Sequence, residues 1–167
     1  LSGSGPVSVK TDGDSTMTGI IRSNRIGNGS AGSGALCGSC NGLFINPREG
    51  GFMDLQIIGN LIQNVPQRAI SVDAGQVSGD NWGKADIVIT GNLIRNPDGV
   101  NTLQAVNLTS GIGENGEAAC LAATIGGLVN PGAWPSTAAN AMNRIEGDWA
   151  TTLTGGSCSW SQSMSSA

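Results

Sequence analysis

The sequence predicts an all-β fold in which short strands stack as a solenoid, in the arrangement of a parallel β-helix. The first observation behind this prediction is a repeat: residues 55–64 return at 87–96, so that Ile-Gly-Asn-Leu-Ile reappears as Thr-Gly-Asn-Leu-Ile after 32 residues. The second is that apolar residues occupy every second position within each copy, which is the period of a half-buried strand. A unit this short cannot bury its apolar face alone, so neighbouring copies must stack.

Each repeat is predicted to contain three short strands. The first strand ends at a Gly-Asn pair, whose residues readily adopt the backbone conformations of a sharp corner, and the second strand follows that corner. A third strand comes after a variable loop, at 42–45, 69–72 and 105–108. One unit therefore reads as strand, corner, strand, loop and strand.

The repeats occupy most of the chain. Weaker copies at 21–28 and 142–147 flank the two clear ones. The repeat region is therefore predicted to cover residues 15–147, with about four to five rungs and long variable loops. Residues 1–14 are predicted as an N-terminal strand or extended segment, and residues 148–167 as a C-terminal strand or tail.

Parallel stacking would place one asparagine of each unit above the next. The side-chain amides would then form a ladder in which each rung bonds its neighbour. The alternative is that these residues form turns without any ladder. The asparagines in question are Asn24, Asn60, Asn92 and Asn143.

Two segments near the end of the repeats carry a resemblance to a known family. Ala-Thr-Ile-Gly-Gly at 123–127, followed by Ala-Met-Asn-Arg-Ile-Glu-Gly at 141–147, resembles a rung of secreted right-handed parallel β-helix repeat proteins of the pectate-lyase-like superfamily. The Gly-Asn-Leu-Ile units resemble the common rung of the same family. The resemblance implies a right-handed β-helix, secreted or on the cell surface. It does not specify an activity, because this fold hosts lyases, hydrolases, tailspikes and adhesins.

The composition limits the classes of partner that the chain is expected to bind. Charged residues make up 12% of the chain, against roughly 25% in average domains. The net charge is −4, and the aromatic residues are four Trp and two Phe with no Tyr. Without a basic run, a nucleic-acid surface is not expected, and the apolar runs are too short for a membrane span. Self-association and a glycan or cell-surface ligand are the predicted partners, with no cofactor.

Four cysteines point to disulfides in an oxidising compartment. Cys120 and Cys158 could join the last rungs to the tail, and Cys37 and Cys40 could close a local loop. Spacing does not fix the pairing, because four cysteines allow three connectivities. A redox role for the Cys-Gly-Ser-Cys segment is disfavoured because strands flank it, and the absence of His argues against a zinc site.

Asp54 and Asp86 are the candidate catalytic pair, because they lie one repeat period apart, each just before a predicted strand. Glycoside hydrolysis needs two carboxyl groups about 5–10 Å apart, and stacking on adjacent rungs would supply that spacing. The simpler interpretation is that both are turn residues. Under that interpretation the chain has no catalytic residue.

The predicted function is an extracellular structural or adhesive β-helix, capable of stacking end to end into a filament. No amphipathic helix caps either end, so the chain is expected either to belong to a longer β-helix or to stack on copies of itself. Contacts would be made by the loops 29–41, 73–85 and 97–104, with Trp82 and Trp134 as contact aromatics or as core residues. The alternative is a polysaccharide lyase or hydrolase that uses the two aspartates.

Overall fold

A computed structural model describes the chain in ten segments, and every regular element in them is a β-strand. All of the strand pairings are parallel. The described residues are 7–27, 41–65, 67–74, 82–95, 104–110, 119–126, 128–129, 143–146, 150–154 and 162–164.

Fifteen strands are present in these segments, most of them short. In chain order they are β1 Val7–Thr11, β2 Thr16–Arg22, β3 Arg25–Ile26, β4 Leu43–Pro47, β5 Phe52–Ile58, β6 Leu61–Gln63, β7 Ile70–Asp73, β8 Lys84–Thr90, β9 Leu93–Arg95, β10 Gln104–Thr109, β11 Cys120–Ile125, β12 Leu128–Val129, β13 Asn143–Glu146, β14 Ala150–Thr154 and β15 Gln162–Met164.

The strands form three sheets of five strands each. The first sheet has the order β1-β4-β7-β10-β14, the second β2-β5-β8-β11-β15, and the third β3-β6-β9-β13-β12. The chain visits the three sheets in turn, and we call one such pass a rung. This recurring order of parallel strands is consistent with a β-helix-like solenoid.

The third sheet departs from chain order at one place. Strand β13 pairs with β9 of the third rung, while the earlier strand β12 pairs with the opposite side of β13. The chain therefore reaches the fifth layer of this sheet before it returns to fill the fourth. Strands β14 and β15 then pair with β10 and β11, so they share the fifth layer with β12.

Apolar side chains stack in columns inside the rungs because the strands are in register. In the second sheet Ile21 pairs with Ile57, Ile57 with Ile89, and Ile89 with Ile125. The last three are fully buried, whereas Ile21 in the first rung is only half-buried. Burying one such side chain contributes about 1.5–3 kcal/mol, so the columns are the main stabilising element between rungs.

The Gly-Asn corners use left-handed backbone. Gly59 and Gly91 have φ values of 62° and 63°, and Ser23 occupies the same corner of the first rung at 55°. Glycine adopts this region without the steric penalty that a Cβ atom brings. The corner turns the chain from the second sheet into the third, which places the following asparagine inside the stack.

Candidate functional site: an asparagine ladder and the outer face of the second sheet

The four repeat asparagines are joined by side-chain hydrogen bonds through successive rungs. The Asn24 Nδ2 donates to Asn60 Oδ1 at 3.1 Å, and the Asn60 Nδ2 donates to Asn92 Oδ1 at 2.9 Å. The Asn92 Nδ2 continues the series by donating to Asn143 Oδ1 at 2.8 Å. These bonds form a ladder that runs through four rungs at the corner between the second and third sheets.

The amide oxygens of Asn60, Asn92 and Asn143 each accept a second hydrogen bond from the backbone of the preceding rung. The backbone N–H groups of Asn24, Asn60 and Asn92 donate to the next asparagine oxygen at 3.0, 2.9 and 3.1 Å. The bonds between asparagines are therefore directional: in each, the donor is on the earlier rung and the acceptor on the later one.

The ladder amides also satisfy carbonyl groups of the second sheet. The Asn60 Nδ2 donates to the Ile21 carbonyl, and the Asn92 Nδ2 donates to the Ile57 carbonyl, each at 2.9 Å. Asn60 and Asn92 are each 1% exposed, and Asn143 is fully buried. Because buried polar groups without partners are costly, these bonds make the polar corner compatible with burial.

The fourth corner of the ladder has a long insertion. In the third rung Asn92 donates to the Thr90 carbonyl, two residues earlier. In the fourth rung Asn143 donates to the corresponding carbonyl of Gly126, 17 positions earlier, at 2.9 Å. The two residues at this corner are therefore far apart in the chain, yet the hydrogen bond between them is retained.

Asp54 and Asp86 lie side by side on the outer face of the second sheet. They are register partners in the β5–β8 pairing, with Thr18 on one side and Ala122 on the other. Adjacent strands are about 4.8 Å apart, so the two carboxylates project in the same direction at neighbouring positions. Both residues lie inside strands, because β5 begins at Phe52 and β8 at Lys84.

Three further side chains share this outer face with the aspartates. Phe52 and Gln56 are the alternate residues of β5 on either side of Asp54, and Lys84 precedes Asp86 in β8 by two positions; all five are exposed. We call these five residues the outer-face patch. Phe52, Gln56 and Lys84 were not among the predicted site residues, although their offset of two residues from the aspartates predicts that they share a strand face with them.

The exposure of the two aspartates bears on their chemistry. A glycosidase general acid is shielded from water so that its carboxyl group stays protonated until it donates. Asp54 and Asp86 are instead on an open sheet face. The pair is well placed to accept hydrogen bonds from hydroxyl groups of a ligand, which requires no shielding.

Few of the other predicted site residues lie within the described part of the chain. Cys120 begins β11 and is not a free thiol, whereas Cys37, Cys40 and Cys158 lie outside the described residues, so the disulfide pairing stays a prediction. The same holds for Trp134 and for most of the loops 29–41, 73–85 and 97–104.

Trp82 lies within the described part of the chain and is half-buried. Its carbonyl oxygen accepts a hydrogen bond from the Gly50 N–H at 2.9 Å. Its ring lies close to the same glycine, because a Cβ atom at Gly50 would be 3.0 Å from the Trp82 Cη2. The ring therefore packs against the turn between β4 and β5.

The described ranges contain neither clustered metal ligands nor a membrane-length helix. These ranges contain no group of three or more His, Cys, Asp or Glu side chains placed to hold a metal ion. They also contain no helix with the length and apolar character needed to cross a membrane.

Comparisons with protein-family models, with curated proteins and with solved structures found no match to this chain.

Proposed function

We propose that this chain is an extracellular structural or adhesive protein, built as a right-handed parallel β-helix whose sides and ends make its contacts. The observation that carries the proposal is the continuous ladder of Asn24, Asn60, Asn92 and Asn143, together with the apolar columns that run beside it. Such a stack is a rigid scaffold that holds side chains on its outer faces at fixed spacings.

The outer-face patch is the proposed ligand surface, and glycans are the ligand class it suits best. Its carboxylates and its amide offer hydrogen-bond partners for hydroxyl groups, and the Phe52 ring offers an apolar face for a sugar ring. The patch is open, so an extended polymer can lie across several strands without entering a cleft.

Glycan binding can be tested directly with a panel of neutral, basic and acidic polysaccharides and isothermal titration calorimetry. We expect binding by the wild-type protein and a loss of about fivefold in affinity for Gln56→Ala, since a neutral hydrogen bond contributes about 1 kcal/mol. A matched control is Arg22→Ala, which alters an exposed residue of the same face at the far end of β2. Equal affinities for the two variants and the wild type would contradict the proposal.

The second candidate function is polysaccharide cleavage, favoured by the register pairing of Asp54 with Asp86. A carboxylate pair at adjacent strand spacing is compatible with a retaining mechanism, in which the two carboxyl groups lie about 5–5.5 Å apart. If cleavage occurs, Asp54→Asn and Asp86→Asn should each abolish it, while the unfolding free energy stays close to that of the wild type because both residues are exposed. Cleavage that survives both substitutions would exclude this pair as its source.

The extracellular location and the disulfides belong to the same proposal. The proposed pairs are Cys37 with Cys40 and Cys120 with Cys158, among the three connectivities that four cysteines allow, and the absence of a free thiol at Cys120 favours a disulfide there. Peptide mapping by mass spectrometry without reduction would identify the pairs. Four alkylatable thiols in the secreted protein would contradict the proposal of an oxidising compartment.

A further inference from the structure

The two ends of the stack are complementary, and each sheet has one edge at each end. The first, second and third sheets begin at β1, β2 and β3 of the first rung and end at β14, β15 and β12 of the fifth layer. Within the described part of the chain, no strand pairs with the outer side of β1, β2 or β3. Unpaired strand edges are templates for a further strand.

The first rung also leaves part of its core uncovered. Val7 pairs with Leu43, which is fully buried, yet Val7 is 40% exposed. Met17 pairs with the fully buried Met53 and is itself only half-buried. These side chains point into the stack, so one more rung on this end would cover them in the way that the second rung covers its neighbours.

The asparagine ladder is open at the same end. The Asn24 Nδ2 donates to Arg22 and Asn60, but the Asn24 Oδ1 accepts no hydrogen bond from the described residues. At Asn60 and Asn92 this oxygen accepts a backbone N–H from the preceding rung. If a further rung lay before the first, the backbone N–H at its ladder position could therefore donate to the Asn24 Oδ1.

The opposite end of the stack has a strand, β12, that could occupy that position. Leu128 is the register partner of Asn143, so in the fifth layer it occupies the place that asparagine holds in the other rungs. The open oxygen requires a backbone N–H at this position, and Leu128 has one. The fifth layer supplies three parallel strands in the same three sheets.

Charge distinguishes the two ways in which copies could meet. The strands of the first rung carry the exposed cations Lys10, Arg22 and Arg25. Two first rungs facing each other would bring these cations together, which is unfavourable. Strands β12, β14 and β15 contain no charged residue, so the fifth layer can approach the first rung without this repulsion.

We infer that a second copy of this chain docks head to tail, with β14, β15 and β12 of one copy pairing with β1, β2 and β3 of the next. The inference rests on the proposed function, because it names the partner and the polarity of the end contacts. The contact is heterologous and does not close, so repeated docking produces a linear assembly. The new interface repeats the rung-to-rung contact already present inside the chain.

Ile20 provides a variant that blocks the edge without touching pairing inside the chain. The Phe52 N–H donates to the Ser15 carbonyl and the Ser23 N–H donates to the Ile58 carbonyl. Since hydrogen-bonding groups alternate along a parallel strand, the Ile20 N–H points away from β5 toward the free edge. Ile20→Pro removes this N–H, and proline is tolerated where the N–H of an edge strand faces solvent. Ile20→Thr is the matched control, because it removes the apolar side chain and keeps the N–H.

The experiment is sedimentation velocity of the full chain over a wide concentration range, with circular dichroism to establish that each variant is folded. We expect the wild type and Ile20→Thr to form assemblies that grow with concentration, and Ile20→Pro to stay monomeric. Met17→Lys provides a second test that does not depend on proline. A lysine there can reach water in a free first rung but is buried without a partner in a covered one, so association should weaken by at least about a hundredfold.

Mixing tests the polarity. Ile20→Pro retains an intact fifth layer, so a small fraction of it added to the wild type should occupy first-rung ends and shorten the assemblies. Assemblies of unchanged size would overturn the head-to-tail arrangement. A wild type that stays monomeric at all concentrations, or folded Ile20→Pro and Met17→Lys proteins that assemble normally, would overturn the inference itself. Glycan binding by Met17→Lys separates the two proposals, because Met17 pairs with the buried Met53 and lies away from the ligand surface. Binding should persist if the ligand surface is correct, whether or not the end contact is.

Discussion

Replacing Asn92 with alanine should destabilise the stack much more than the same replacement at Asn24. Both residues belong to one ladder, but Asn92 is 1% exposed and Asn24 is exposed at the end. The Asn92 amide accepts two hydrogen bonds from Asn60 and donates to Ile57, Thr90 and Asn143, all within 3.1 Å. The Asn24 amide donates to Arg22 and Asn60.

The magnitude follows from the groups that lose a partner. In Asn92→Ala the Asn60 backbone N–H and the Ile57 carbonyl both lose this partner inside the stack. At about 1–3 kcal/mol for each buried group, the unfolding free energy should fall by about 2–6 kcal/mol. In Asn24→Ala water can replace the lost amide, so a decrease of about 0.5–1.5 kcal/mol is expected.

Urea denaturation followed by far-UV circular dichroism gives both values, provided that the transition is two-state. The measurement should be made at a concentration where the protein is monomeric, so that association does not add to the apparent stability. Equal losses for the two variants would refute the reasoning. The asparagines would then act as corner residues, and the hydrogen bonds of their side-chain amides would add little to stability.

The remaining predictions concern the ladder oxygen and one corner. Asn92→Asp places a carboxylate against three acceptor oxygens, which should raise the pKa of the introduced carboxyl above its usual value of about 3.9. The unfolding free energy of this variant relative to the wild type should therefore be highest below about pH 3.9 and fall as the pH rises above that value; a pH-independent difference would contradict this. Gly27→Ala adds a Cβ that collides with the Gln63 carbonyl oxygen at a φ of 84°, whereas Gly59→Ala meets no atom within 4 Å. Thermal unfolding should show the larger decrease for Gly27→Ala, with about 1–2 kcal/mol of left-handed strain for Gly59→Ala.

The repeat made the ladder positions predictable. Gly-Asn recurs at Gly59 and Gly91 with the same spacing as the apolar alternation, so both the corner and the asparagine could be located from the sequence. Asn143 lacks an adjacent glycine corner of this kind, and the Thr-Ile-Gly-Gly segment before the insertion identified it instead. Local patterns suffice here because each rung repeats the same local structure.

Other features depend on contacts that no local pattern reports. The strands were predicted to begin just after Asp54 and Asp86, because aspartate favours turns. In the structure they begin two residues before each aspartate, because Met53 and Ala85 are buried in the core. Ser71 alternates with core residues and should face outward, yet it is only 3% exposed. Burial of an outward position depends on segments distant in sequence, which periodicity does not describe.

The reversed order of β12 and β13 could not be predicted for the same reason. Both segments are too short to show a period, and their order in the sheet is set by which one completes the ladder beside β9. Asn143 fits that position because its amide bonds to the Ile89 and Gly126 carbonyls. The strand beside β9 is thus the one whose asparagine continues the ladder.

The corner between Gly126 and Asn143 shows that chain continuity and structural continuity are separate in this protein. The hydrogen bond from the Asn143 side-chain amide to the Gly126 carbonyl holds the two residues in the positions of a tight corner, although they are 17 positions apart in the sequence. The entropy of closing a loop rises slowly, by about 0.6 kcal/mol for each doubling of its length. A foreign peptide inserted between these two positions, outside β12, should therefore cost little loop-closure entropy, and the Asn143–Gly126 hydrogen bond would still define the corner.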